Sequence, residues 1–443
     1  MSDALTLMAD LLKRAKAAGA DTADAVLIAG TSLSVQRRMG HTEQLERAEG
    51  RDLGLRVFVG RRSAIVSSTA VDPAGFSTLA ERAVAMAKVV PEDPYGGLAD
   101  EAGPVPTLDL DLVDAAEPDA AALIAAANTA EEAALAVTGV TNSEGGSAGY
   151  SHTEVVLVTS AGFAGRTMRS GYSISATALA GSGTAMQRDY DYSSAVHLAD
   201  LEDPQKIGRT AGERAVARMN PTRPKTGKLA VVFDPRVAAS LLGHLAGAIN
   251  GTGVARGTSF LKDSMGQRIF PAGVTVIDDP HRHRGLRSRL FDGEGVVGQR
   301  RELVADGTLT TWLLDSRSAR QLGLKSTGHA GRGTGGPPSP GPTNLFFAPG
   351  ALSPGELMAD IKEGLYVTEM IGMGVNGVTG DYSRGAAGFM IRDGRLAEAV
   401  AEVTIASTLQ AIFAGLVVAN DLILRRGMDS PTVRITEMTL AGS

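Results

Sequence analysis

The sequence lacks cysteine and contains few aromatic residues. Its 443 residues include no Cys, 1 Trp and 7 His, and Phe, Trp and Tyr together make up 4%. The absence of cysteine excludes disulfide bonds, a thiolate nucleophile, iron–sulfur clusters and any zinc site that needs sulfur ligands. This composition is compatible with a reducing compartment.

Long hydrophobic runs are also absent. No apolar run approaches the roughly 18 to 20 residues that span a bilayer, since even 411–419 is followed by Asn420 and Asp421. Residues 1–14 carry Asp3 and Asp10 and lack the basic start and continuous apolar stretch of a secretory signal. We therefore expect a soluble, cytoplasmic protein with no membrane partner.

Positive charge is in deficit. The chain has 43 basic and 49 acidic residues, giving a formal net charge of -6. This balance argues against a nucleic-acid partner, because binding phosphate groups normally requires a basic face. A hydrophobic fraction of 43% with 21% charged residues is typical of a globular protein.

Hydrophobic periodicity predicts the elements of the N-terminal half. Helices are predicted over 4–18, 73–90, 117–136 and 203–218. Short strands are predicted over 25–28, 33–38, 53–59 and 63–67, separated at 30–31, 50–51 and 60–61, and later over 154–159, 171–180 and 189–197. The Pro- and Gly-rich stretch 96–106 is predicted to close a first α/β lobe.

The segment 220–227 divides the sequence, because its two prolines and one glycine disfavour a helix or a central strand. Beyond it, Asp306-Gly307 and Asp393-Gly394 predict antiparallel hairpins, and helices are predicted near 237–249 and 405–424. The predicted fold class is α+β, with N-terminal α/β lobes on a mostly antiparallel sheet and a β-rich C-terminal domain with a few helices. The predicted domains are an N-terminal lobe (1–105), a central α/β section (106–219), a linker (220–227) and a C-terminal domain (228–443).

A glycine-rich segment near the C-terminus has two interpretations. Six glycines lie between 372 and 388, which weakens ordinary strand pairing. They favour tight turns and bulges, including Asn376-Gly377 as a hairpin turn. Alternatively, the bare backbone lets another extended chain approach and pair as an added strand. The spacing of the glycines alone does not decide between the two interpretations.

The clearest histidine pair lies in a basic stretch. His281 and His283 would share one face of a strand, which could begin a metal site. The surrounding arginines repel a divalent cation and supply no carboxylate ligand; they are Arg282, Arg284, Arg287 and Arg289. The stretch therefore favours a solvated loop or an ion-pairing edge over a metal site.

Three ordered strings carry a family resemblance. They are KSTGHA at 325–330, GDYSRGAAGF at 380–389 and EVTIA at 402–406. These strings resemble the signatures of the TldD/PmbA family, and specifically of its PmbA (TldE) branch. Residues 291–295 (FDGEG) and 312–314 (WLL) fit the same branch.

This resemblance implies a cytoplasmic heterodimer of a TldD-like and a PmbA-like chain that acts as a zinc metallopeptidase on small, unfolded peptides. The zinc belongs to the TldD-like member, whose helix carries His-Glu-x-x-x-His. Matched to that helix, 241–249 of this chain place Gly243 and Ala248 at the two His positions and His244 at the Glu position. Because zinc hydrolysis needs about three protein ligands and a base, we expect no metal-ligating or catalytic residue in this chain.

The resemblance further implies that this chain completes a peptide-binding chamber, while zinc is the cofactor of the partner subunit only. Six residues are candidates for substrate binding or partner contact: His329, Asn344, Gly374, Gly377, Asp381 and Arg384. Turn capping and internal ion pairing are alternative roles for the polar members. The isolated chain is expected to be inactive.

Two other functions stay open. One is a non-proteolytic binding module that modulates DNA gyrase or its peptide inhibitors, which the basic stretch 282–289 would favour. The other is a homodimeric enzyme that uses Asp278, Asp279 or Asp381 with His281. Self-association of the chain when it is alone is also left open.

Overall fold

The computed structural model describes residues 4–443 as a mixture of helices and sheets. The helices are α1 (Ala4–Ala17), α2 (Phe76–Val89), α3 (Ala120–Leu135), α4 (Pro204–Ala217), α5 (Pro235–Ala248), α6 (Gly251–Ala255), α7 (Ser316–Leu322), α8 (Pro354–Met358) and α9 (Leu409–Ala414). The strands of the first half are β1 (Thr22–Arg38), β2 (His41–Val59), β3 (Arg62–Ser68), β4 (Val140–Thr159), β5 (Ala164–Ala180) and β6 (Gln187–Ala195). The predicted α+β class is confirmed.

The strands of the second half are shorter on average. They are β7 (Gly227–Phe233), β8 (Val276–Asp279), β9 (Arg301–Ala305), β10 (Thr308–Leu309), β11 (Ala330–Gly331), β12 (Ser339–Pro340), β13 (Asn344–Phe347), β14 (Glu363–Ile371), β15 (Asp381–Arg392), β16 (Arg395–Thr408), β17 (Leu416–Val418), β18 (Met428–Asp429) and β19 (Val433–Ala441). Within residues 4–443, no helix is long and apolar enough to cross a membrane.

One antiparallel sheet organises the first half, in the order β3-β2-β1-β4-β5-β6. Side chains of a strand alternate between faces. Ala25 and Leu27 of β1 therefore pack with Met8 of α1 in one core cluster, whereas Val26 faces the other way and packs with Phe291 of the second half. This second face of the sheet contacts the C-terminal half.

Two sheets and a central helix organise the second half. The larger sheet has the order β16-β15-β14-β7-β19-β17 and the smaller one the order β10-β9-β8-β13-β18. Helix α5 packs in the largest core cluster through Leu241, Leu242 and Leu245. The predicted hairpins at Asp306-Gly307 and Asp393-Gly394 are confirmed as the β9–β10 and β15–β16 connections.

The helix predicted over 405–424 is wrong. Strand β16 continues to Thr408, whose side-chain oxygen then caps the short helix α9 by accepting a hydrogen bond from the backbone N of Ala411 at 3.2 Å. Helix α9 ends before Gly415, and residues 416–418 form β17 beside β19. Strand pairing overrides the apolar run that suggested a helix.

The predicted strand breaks at 30–31 and 50–51 are also wrong. Strands β1 and β2 run through both sites, and Gly30 lies directly opposite Gly50 in their register. The predicted turn at 60–61 is confirmed between β2 and β3.

Strand β1 of the predicted N-terminal lobe pairs with β4 of the predicted central section, so both sections contribute to one sheet. The predicted linker is irregular and is attached to β16, since the backbone N of Thr222 donates to Ala399 O at 2.8 Å. The domain boundaries drawn from the sequence stay a prediction.

Candidate functional site

Helix α5 carries one residue of the candidate site, His244. It starts with Pro235 after Asp234, whose Oδ1 accepts a hydrogen bond from the backbone N of Arg236 at 2.9 Å and so caps the helix. Its leucines enter the core, and this fixes the direction of the partly buried His244 on the adjacent face.

Strand β15 carries the other two residues of the candidate site. Tyr382 and Arg384 are two residues apart, so both side chains leave the same face of the strand. The Tyr382 ring meets the His244 ring edge to face, with 5.8 Å between ring centroids and 88° between the planes. The structure thus brings Arg384, a predicted site residue, together with His244 and with Tyr382, which sequence reasoning missed.

These three side chains hold polar atoms that lack partners. Among residues 4–443, no hydrogen bond of good geometry reaches the buried atoms His244 Nε2, Tyr382 Oη and Arg384 Nε, although the Arg384 guanidinium lies close enough to Tyr382 to act on its pKa. A buried polar group left unsatisfied costs about 1–3 kcal/mol, so such a cluster is unusual in a purely structural region. We name His244, Tyr382 and Arg384 the orphan triad.

The electrostatics of the orphan triad favour hydrogen bonding over proton transfer. Burial, together with the nearby positive charge of Arg384, lowers the pKa of His244 and so favours the neutral imidazole. Burial raises the pKa of Tyr382 to about 12, so its hydroxyl keeps its proton. The triad can therefore offer phenol and guanidinium donors to a carbonyl or carboxylate oxygen.

The glycine-rich segment leads directly into the triad. Residues 372–380 connect β14 to β15 as a loop, and Gly372 and Gly380 adopt positive φ values of 80° and 85°. The loop is folded back on β15, because the backbone N of Ser383 donates to Gly374 O at 2.7 Å. The positive φ values of Gly372 and Gly380 agree with the interpretation as turns, whereas the turn predicted at Asn376-Gly377 lies instead over 377–379, closed by a hydrogen bond from the backbone N of Gly380 to Asn376 O at 2.8 Å.

The tip of this loop exposes apolar side chains to solvent. Met373 is 91% exposed, and Ile371 and Val378 are 57% and 54% exposed. Asp381 is also exposed, and its Oδ2 accepts a hydrogen bond from Thr379 Oγ1 at 2.6 Å. Of the predicted site residues, Gly374, Gly377, Asp381 and Arg384 thus lie in one region.

His329 and Asn344 lie in a different region, in the interior. His329 is 2% exposed, and its Nε2 lies 3.1 Å from Asp278 Oδ1. Asn344 is 1% exposed; its Nδ2 donates to Asp279 O and Ser288 Oγ, and its Oδ1 accepts from the backbone N of Arg287. Both side chains hold neighbouring segments together.

The alternative acid–base set is dispersed. Asp278 is fully buried and accepts a hydrogen bond from the backbone N of Thr343 at 2.7 Å. Asp279 accepts from the backbone N of His281 at 2.9 Å, which is a turn contact. Asp381 lies at the start of β15, in a separate sheet. In the basic stretch, Arg284 forms ion pairs with Asp111 and Asp200.

The residues of α5 do not fit a zinc ion. Gly243 and Ala248 carry no donor atom, and only His244 could contribute a ligand from this helix. Within residues 4–443, no group of three or more His, Cys, Asp or Glu side chains has the arrangement of a metal site. The donor set offers hydrogen bonds and does not offer a tetrahedral cation site.

Comparison with protein-family models identifies the family of this chain. Three models match in order: PmbA/TldA metallopeptidase domain 1 over 23–87, its central domain over 114–219 and its C-terminal domain over 226–442. This chain belongs to the PmbA/TldA metallopeptidase family. The predicted resemblance is confirmed.

Curated relatives assign the chain to the PmbA branch of the family. It is 38% identical to "Metalloprotease PmbA" of Escherichia coli O157:H7 over 95% of this chain and 92% of that protein. It is 35% identical to "Metalloprotease PmbA homolog" of Haemophilus influenzae over 93% of this chain and 90% of that protein.

Solved structures share the fold over almost the whole chain. A candidate modulator of DNA gyrase from Bacteroides thetaiotaomicron has a TM-score of 0.91 and 26% identity, with 100% of both chains covered. TldE from Thermococcus kodakarensis has a TM-score of 0.85 and 19% identity, with 98% of this chain and 100% of that chain covered. The second likeness concerns the fold alone.

Proposed function

We propose that this chain is the non-catalytic subunit of a two-chain zinc metallopeptidase that cleaves small, unfolded peptides. A TldD-like partner supplies the zinc and the base. This chain supplies part of the wall of the peptide-binding chamber and a surface that binds the substrate. The observation that carries the proposal is α5, where Gly243 and Ala248 stand at the positions at which the resemblance puts zinc-binding histidines. The metallopeptidase family and the names of the PmbA relatives support the hydrolytic part.

The orphan triad is the proposed contact for the peptide backbone. Its neutral imidazole, phenol and guanidinium can hydrogen-bond a substrate carbonyl or terminal carboxylate whatever the side chains of the peptide are. Such contacts suit a broad range of peptides, because main-chain recognition is indifferent to sequence. Gly374, Gly377 and Asp381 are proposed to line the same surface next to Arg384.

His329 and Asn344 are proposed to act indirectly. Their contacts within residues 4–443 are internal, so they would support loops of the chamber without touching the peptide. The cytoplasmic location and the heterodimer are part of the proposal and come from the resemblance of the sequence. The absence of cysteine is compatible with that location.

Reconstitution with a TldD-like chain tests this function. The pair should cleave an unfolded peptide, and Arg384→Ala in this chain should raise KM by about tenfold, the effect of losing about 1.4 kcal/mol of binding. The matched control is Arg395→Ala in the exposed β15–β16 hairpin, which should leave KM unchanged. Unchanged kinetics for Arg384→Ala would remove the orphan triad from the substrate surface.

A further inference from the structure

Besides the orphan triad, the structure contains a cavity between the two halves of the chain. Its volume is about 360 Å³, within the range of about 300–1,000 Å³ that is typical of small-molecule sites. One wall is the face of the N-terminal sheet that points away from α1 and α2, and the opposite wall consists of residues 287–293 and 330–332. It is separate from the orphan triad.

The cavity has an apolar part. Val26 and Leu157 of the sheet and Phe291 of the C-terminal half form one buried hydrophobic cluster, with Val155 packed against it. All four side chains line the cavity. This lining would favour an apolar group of a ligand, because burying apolar surface contributes about 25 cal/mol per Å².

The cavity also has a cationic part, formed by Arg169, Arg289 and Arg332. Arg169 donates to the backbone oxygens of Leu286 and Ser288, and Arg289 donates to Ala330 O and Gly328 O at 3.1 Å each. Among residues 4–443, neither guanidinium forms a salt bridge with a carboxylate. Burial lowers the pKa of both groups, since charge is costly there.

Arg332 adds a third guanidinium, which is paired with one carboxylate but leaves other N–H groups without a partner. Its side chain is 1% exposed, and its Nη1 lies 2.6 Å from Asp24 Oδ1. Nevertheless, its Nε and Nη2 make no hydrogen bond of acceptable geometry within residues 4–443, and the same holds for Arg289 Nε. Guanidinium groups at such depth normally have their N–H groups satisfied.

The carboxylates around the cavity, which include Asp278 near Arg289 and Glu294 near Arg332, are also engaged by other groups. Asp292 is the acidic residue in the lining, and its side chain accepts hydrogen bonds from the backbone N atoms of Glu294, Val296 and Ala330. Asp24 is shared between Arg332 and Arg56. The charged residues that line the cavity are thus four arginines and one aspartate, beside an apolar surface.

We propose that this cavity binds a small carboxylate that carries an apolar group. The carboxylate would lie at Arg289 and Arg332, and the apolar group would lie against Val155 and Phe291. The entrance would lie beside Met168 and Arg287, which line the cavity and are exposed. Because both halves of the chain build the site, its ligand would also hold them together.

Two matched pairs of probes test the site by calorimetry on the full chain. Octanoate is compared with octanamide, and N-acetylleucine with N-acetylleucinamide, so that each pair differs only in the charged group. We expect saturable binding of at least one carboxylate at one site per chain, about tenfold or more tighter than its amide. The two pairs distinguish an aliphatic acid from a peptide-like carboxyl terminus.

Three variants locate the binding. Arg289→Gln should weaken carboxylate binding by about tenfold or more, as expected for a charge-assisted contact. Val155→Phe should abolish binding by filling the cavity while all arginines remain. This second variant keeps the proposal testable if Arg289→Gln does not fold. The control Arg395→Gln should bind like the original chain.

Several results would overturn the proposal. They are the absence of saturable binding for both carboxylates, equal affinity for carboxylates and amides, and unchanged affinity in Val155→Phe. Equally tight binding of inorganic phosphate that is insensitive to Val155→Phe would show a simple anion site and would also overturn it.

Discussion

Asp24 of β1 and Arg332 of the C-terminal half form an ion pair of 2.6 Å in which both side chains are 1% exposed. Asp24 also accepts a hydrogen bond from Arg56 Nε at 2.9 Å. A single carboxylate on the N-terminal sheet is therefore paired with one guanidinium from each half of the molecule, so one negative charge faces two positive charges. Buried charges of this kind are costly unless paired, so the pair couples the stability of the two halves.

Asp24→Asn should destabilise the fold strongly. The substitution leaves Arg332 and Arg56 with less negative charge in a buried region, and breaking a buried pair costs about 3–5 kcal/mol of unfolding free energy. Urea unfolding measures the loss. Glu437→Gln is the control, because its partner is the exposed Lys228 and both side chains are more than half exposed. Equal losses in the two variants would contradict the proposed importance of the buried pair.

Glu294 should make the fold less stable as pH rises. Burial raises the pKa of Glu294 from 4.5 to about 7, even with Arg56 3.8 Å away. Between pH 4.5 and about 7 the folded chain keeps a proton on Glu294 that the unfolded chain has lost. The contribution of Glu294 to the free energy of unfolding therefore falls as pH rises through this range. It is lost above the folded pKa.

Glu294→Gln isolates that effect. Relative to the original chain, the variant should gain unfolding free energy as pH rises from about 4.5 to 7, by at most about 3 kcal/mol for the full shift. Unfolding at several pH values measures the difference, with Glu437→Gln as a control whose difference should stay nearly flat. A constant difference for Glu294→Gln would show that burial does not raise this pKa.

Two glycines of the loop should respond differently to alanine. A Cβ atom at Gly374 would lie 2.1 Å from the backbone oxygen of Ser383, whereas a Cβ at Gly377 would meet nothing within 4 Å. Gly374→Ala should therefore cost about 1–3 kcal/mol, as overpacking does, and Gly377→Ala should cost much less. Thermal unfolding compares the two; similar melting temperatures would contradict the loop geometry.

The exposed tip of the same loop should contact the partner. Met373 is 91% exposed on the same loop as the exposed Ile371 and Val378, and clustered exposed apolar side chains are typical of an interface. Met373→Glu should weaken association with a TldD-like chain by about tenfold or more. Val89→Glu is the control, since Val89 is 82% exposed on α2, away from the loop. Equal association of both variants would place the interface elsewhere.

The sequence predicted the order of elements well where local signals are strong. Helix α1, with Met8, Leu11 and Ala15 on its buried face, and the turn at Asp393-Gly394 follow from spacing and turn chemistry. The breaks at Gly30 and Gly50 were wrong because the two glycines lie opposite each other in a long hairpin, and that cross-strand register has no local signal.

The candidate site was only partly predictable. Arg384 was identified through the family resemblance, and Tyr382 lies two residues before it on the same face of β15, a signal that alternation offers. The meeting of Tyr382 with His244 depends on the packing of α5 against the larger sheet, which the sequence does not encode locally. The arginine cavity also required the relative placement of two halves.

Metal analysis combined with peptide hydrolysis tests the central claim most directly. The purified chain should contain far less than one equivalent of zinc and should not cleave an unfolded peptide, because α5 offers His244 alone as a ligand. Adding a zinc-loaded TldD-like chain should produce cleavage, with the zinc remaining on the partner. About one zinc per chain together with peptide hydrolysis by this chain alone would contradict the account.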